Sequence, residues 1–166
     1  MHPLHTAVAA LTLTATAGVQ AAPKDCLAPA EAEALVIVLL PNLATAIGQR
    51  CTATLPANAT LRGGLAPLVA RWRADAAGSA ALAATAVGKL GGGGTEAADN
   101  AEALAMMSGS LTADVARSIN PKTCVDVDRI VANLAPLPTR NLAGLFVSVF
   151  RAAGKGGITV CEAARP

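Results

Sequence analysis

Imidazole is almost missing from this chain. Of 166 residues only two are histidines, and both fall in the first five, at His2 and His5. Once an N-terminal leader is removed, no Ser-His-Asp or Cys-His site can be assembled and no His-ligated metal held. Aromatics are scarce as well. There is no tyrosine, and Trp72, Phe146 and Phe150 are the whole set. The platforms that stack single-stranded nucleic acid are therefore missing. Thirteen basic against eleven acidic residues leave a net charge of +2, too slight an excess for a nucleic-acid footprint. No CxxC pair occurs, which leaves thioredoxin-like redox chemistry unsupported. No S-x-x-K occurs either, and no GK[ST] follows the glycine run at 91–94, so neither a Ser-Lys site nor a phosphate loop is indicated. The carboxylates Glu31, Glu33, Glu96, Asp99, Glu102 and Asp114 fall at helix starts or on polar faces. There they serve the helix dipole and solubility rather than glycoside hydrolysis. The expectation is a protein that is not an enzyme and needs no cofactor.

What is present is alanine, about a quarter of the chain. Alanine favours helix and lets helices approach closely. The run at 7–18 has the length of a signal-peptide h-region and is too short to span a bilayer. Val19-Gln20-Ala21-Ala22 offers small residues around a cleavage point, although no Lys or Arg precedes the run. The reading is a cleaved signal peptide at 1–21 and one helical domain at 22–166, exported to the periplasm or secreted, and not membrane-spanning after cleavage. Four cysteines remain, Cys26, Cys51, Cys124 and Cys161, an even number that implies two disulfides in an exported chain.

The stretch between Cys26 and Cys51 is the most apolar after the leader. Leu35, Leu39, Leu43 and Ile47 repeat every four residues. Val36, Val38 and Leu40 make other faces apolar too, as in a central, buried helix. Pro41 predicts a kink, or a break with a short second helix from Asn42. Residues 52–64 read as a connector. A second helix over 66–90 buries Leu65, Leu68, Val69, Trp72, Leu82, Val87 and Leu90. The glycines at 91–94 read as a hinge. A third helix follows Thr95, its N-cap, and carries Leu104, Met107, Leu111, Val115 and Ile119 to a stop at Asn120-Pro121. A fourth, 125–134, turns Val127, Ile130, Val131 and Leu134 inward. A fifth begins after Thr139 with Leu142, Leu145, Phe146, Val149 and Phe150. Residues 158–160 are the one strand candidate, too short for a sheet. The fold class is all-α: a single compact bundle of about five helices with two disulfides and an extended C-terminal tail.

Geometry narrows the cysteine pairing. A continuous first helix is about 30 Å long, whereas bridged cysteines need Cα atoms within about 7 Å. Up-down packing then places Cys51 beside Cys124 and leaves Cys26 for Cys161. Cys26–Cys124 with Cys51–Cys161 stays open as the alternative.

Two constellations stand out as contact candidates. Arg71, Trp72 and Arg73 set two cations beside the one indole, either a partner contact or a core tryptophan with arginines reaching to water. Leu39, Leu43, Met107 and Leu111 would line an apolar pocket between helices, the adaptable methionine suiting a groove. Arg140 opposes the dipole at the start of the fifth helix and would pair with Asp126 or Asp128 or mark a binding surface.

The leader followed by Cys26, the A-E-A-E-A-L run from Ala30, the L-P-N-L step from Leu40 and the D-R-I-V-A-N-L-A-P-L-P-T-R-N segment from Asp128 resemble exported, cysteine-containing all-helical bacterial proteins of unassigned function. That resemblance implies an exported, cysteine-clipped helical domain and implies no activity. The first functional expectation is a domain that binds a protein or envelope component. The second is a carrier of a small apolar ligand or lipid.

Overall fold

A computed structural model describes residues 26–91, 96–153 and 159–162. Among the described residues five α-helices form: α1 (Pro29–Cys51), α2 (Leu65–Lys89), α3 (Ala97–Ser118), α4 (Cys124–Leu134) and α5 (Thr139–Ala153). The all-α bundle with two disulfides is what forms. The leader at 1–21, most of the glycine hinge, the Thr95 cap and tail residues 154–158 lie outside the described residues.

Helix α1 is the centre, with α2, α3 and α5 all packed on it. Pro29 opens it, where a missing N–H costs nothing. The Glu31 carboxylate accepts the Ala28 N–H at 2.8 Å and the Lys89 ammonium at 2.6 Å. Glu31 is buried, so this acid joins the start of α1 to the end of α2, beyond the dipole role its position suggests. The break or kink expected at Pro41 is not seen as an interruption: α1 runs unbroken from Pro29 to Cys51. Ile37 and Leu40 beside the proline are buried. Each such burial is worth about 1.5–3 kcal/mol, enough together to offset the ~3 kcal/mol that an interior proline costs. By length and composition alone α1 could cross a membrane; here it is the helix around which the others are laid.

The α1–α2 seam corrects one expectation. Leu82 and Leu90, placed by their size in the buried stripe of α2, are exposed. Ala34 of α1 and Ala83, Ala84 and Ala86 of α2 form the core instead. Near the other end of the seam Gly48 is pressed so closely that a Cβ there would lie 2.3 Å from Leu65 Cδ2 and 3.0 Å from the Leu61 carbonyl. Small residues here make the contact, because they let backbones approach.

At the end of α1, Cys51 is bridged to Cys124, Cα to Cα 5.5 Å, inside a cluster with Leu55, Ala59 and Leu61. Part of the supposed connector is thus core. Thr60–Gly64 forms a single π-helical turn leading into α2. The Leu61 N–H, a donor otherwise orphaned at a helix start, is accepted by Asp128 of α4 at 2.7 Å. In α4, Ile130 is exposed rather than inward, while Val131 and Leu134 pack against the core. In α5, Leu142, Ala143 and Val147 are buried, whereas Leu145 and Val149 face solvent.

At the start of α1, Cys26 is bridged to Cys161, Cα to Cα 5.2 Å. Leu27 donates its N–H to the Thr159 carbonyl and accepts from the Cys161 N–H, both at 2.8 Å. At the one strand candidate, residues 158–160, the described part makes a single isolated parallel bridge, Val160 to Leu27.

Candidate functional site

The α-helical period brings one stripe of α1 to a common face: Ala32, Leu35, Val36, Leu39, Leu40 and Leu43. Helices α3 and α5 flank that face without closing it. Between them lies a cavity of about 310 Å³. Its floor is the α1 stripe, and its walls are Met107 and Leu111 of α3 and Phe146, Val147 and Phe150 of α5. Leu27 and Val160, held together by the bridge beside the Cys26–Cys161 disulfide, form one end. Every lining side chain is hydrocarbon, aromatic or thioether. The lining thus offers no acid, base or nucleophile. Leu111 and Phe150 are exposed at the rim, and the Phe146 and Phe150 rings stack with centroids 6.4 Å apart.

All four residues expected around an apolar pocket, Leu39, Leu43, Met107 and Leu111, line this cavity. Sequence reasoning missed the α5 wall and the Leu27–Val160 end. A signal for the wall existed in Phe146 and Phe150, the only two phenylalanines, at i and i+4. The end had its signal in the expected Cys26–Cys161 bridge, whose cysteines adjoin Leu27 and Val160 in sequence, but nothing along the chain linked that bridge to a cavity. Just outside the lining, Asn42 Nδ2 donates to Ser108 Oγ at 3.0 Å and ties α1 to α3.

Arg71, Trp72 and Arg73 are not brought to one surface. Trp72 is buried among Leu40, Ala44, Leu68, Val69 and Leu142, and its indole N–H has no hydrogen-bond partner among the described residues. Arg71 donates to the Ala135 and Leu137 carbonyls, bracing α2 against the α4–α5 link. Arg73 is exposed. Arg140 lies in a broad cleft with Arg71, Asp75, Ser79 and Thr139, where the Thr139 hydroxyl donates to Asp75 at 2.5 Å. The acids once matched to Arg140 are engaged elsewhere: Asp126 pairs with Arg129 at 3.6 Å, and Asp128 holds the Leu61 N–H.

No protein-family model, curated protein or solved structure matches the chain.

Proposed function

We propose that this is an exported helical domain that carries a small apolar ligand in the cavity between α1, α3 and α5. The observation that carries the reading is the all-apolar lining of a cavity of about 310 Å³, within the ~300–1,000 Å³ range of small-molecule sites. The two disulfides support export. A lining without ionisable groups suits holding a ligand rather than transforming it. The test is native mass spectrometry of the secreted protein, followed by denaturation without reductant. A retained mass of a few hundred daltons, lost on denaturation, is the expected result. A protein that emerges empty, and stays empty after incubation with fatty acids and detergents, sinks the reading.

A protein or envelope component is the second reading, favoured by the exposed Leu145, Val149 and Phe150 on α5 and Met106 on α3. Such a partner would cover these side chains and leave the cavity unfilled, and solvent protection of α5 on complex formation would reveal it.

A further inference from the structure

We infer that the cavity takes one straight hydrocarbon chain of a single-chain amphiphile, laid along α1 with its tail against Leu27 and Val160 and its head beyond Leu43 and Leu111. This deepens the apolar-ligand reading and rests on it. The argument is one of length and lining. The floor runs from Ala32 to Leu43 of α1 and every side chain around it is apolar, so an elongated hydrocarbon fits it better than a compact one. Those eleven helical steps are about 16 Å of axis. An extended chain advances roughly 1.25 Å per carbon from single bonds near 1.5 Å, so 16 Å holds about thirteen carbons.

Direction follows from the two ends. Leu27 is 1% exposed, and its backbone is bonded on both sides to the tail strand. The Cys26–Cys161 disulfide adjoins it. That end is a braced stop. At the far end no lining residue lies beyond Leu43 on α1 or Leu111 on α3, and Leu111 is 37% exposed. No charged or hydrogen-bonding side chain lines the cavity, so the head is left in water and contributes little to recognition.

The test is calorimetric titration of the disulfide-bonded protein with straight-chain alkanoates of about six to eighteen carbons, each below its micelle threshold. Affinity should rise about fourfold per added methylene, the equivalent of ~0.8 kcal/mol, and level off near the roughly thirteen carbons that 16 Å holds. The matching alcohol should bind within about threefold of the acid. Val160→Phe, which pushes the stop inward, should move the plateau to shorter chains by about two carbons. Affinity without a plateau, equal affinity for a fused-ring hydrocarbon, or binding only to vesicles of two-chain phosphatidylglycerol would overturn the single-chain inference while leaving an apolar site in place. Failure of every apolar compound to bind would overturn the proposed function itself. The wild-type length series decides the matter even if Val160→Phe fails to fold.

Discussion

The two sides of α1 are built from different residues and have opposite outcomes. Toward α2 the seam clusters Ala34 with Ala83, Ala84 and Ala86, sets Leu40 and Ala44 among Leu68, Val69 and Trp72, and leaves no room for another methyl at Gly48. Toward α3 and α5 the contacts are Leu39, Leu43, Met107, Leu111, Phe146 and Phe150, and a cavity remains. Small side chains let two backbones approach until they close the gap. Long ones hold neighbouring helices apart, and where three helices meet their tips do not fill the middle. On the α2 side small residues share the seam with large ones and it closes; on the α3 and α5 side the wall residues are large and a space remains.

Three substitutions test that contrast. The largest effect is expected on the closed side. Gly48→Val puts a branched side chain against Leu65 and the Leu61 carbonyl and should destabilise the protein by about 3 kcal/mol, at the upper end of overpacking costs, read as a shift of the urea midpoint. If stability is unchanged, the seam is looser than described. Next comes Glu31→Ala, which leaves the Ala28 N–H and the Lys89 ammonium without their acceptor. Truncating one partner of a buried, hydrogen-bonded pair should cost about 2 kcal/mol. Glu31→Gln, which keeps the acceptor for Ala28, should recover part of the loss; equal losses would show that the hydrogen bond to Ala28 contributes nothing. The smallest effect on stability belongs to the open side. Leu39→Trp adds its volume to empty space and should change unfolding free energy by less than about 1 kcal/mol, yet abolish retention of an apolar ligand. A strong destabilisation would mean that the space is not there to be filled.

Much of this was legible from residue spacing. Helices began and ended within a residue or two of their signals, Thr139 at a start and Asn120-Pro121 just past an end. The length of α1 excluded Cys26–Cys51, and up-down packing favoured Cys51–Cys124 with Cys26–Cys161 over the alternative that stayed open; the favoured pairing is the one that forms. The misplaced core residues share one reason. The buried stripe was read from large side chains, so Leu82, Leu90 and Ile130 were placed inside and Ala83, Ala86 and Ala59 overlooked. Size predicts how much a side chain gains from burial, whereas closeness of backbones decides which side chains have the chance. Trp72 illustrates the opposite case. Of the two readings open for it, a partner contact or a core tryptophan, the core is the one found: it lies on the inner face of α2, and Arg71 braces the α4–α5 link.

Local chemistry written along the chain determined that this protein is helical, where each helix lies, that it has four cysteines to pair, and that α1 is apolar enough to be its centre. Periodicity and backbone punctuation are properties of short segments, and short segments carry them without help. Tertiary structure alone decided that Asp128 would cap a turn 67 residues away, that Glu31 would meet Lys89, and that the paired Leu27 and Val160 would form the end of a cavity. Each of these joins groups distant in sequence, and the cavity itself belongs to no segment: it is the space three helices leave when their contacts elsewhere have been satisfied.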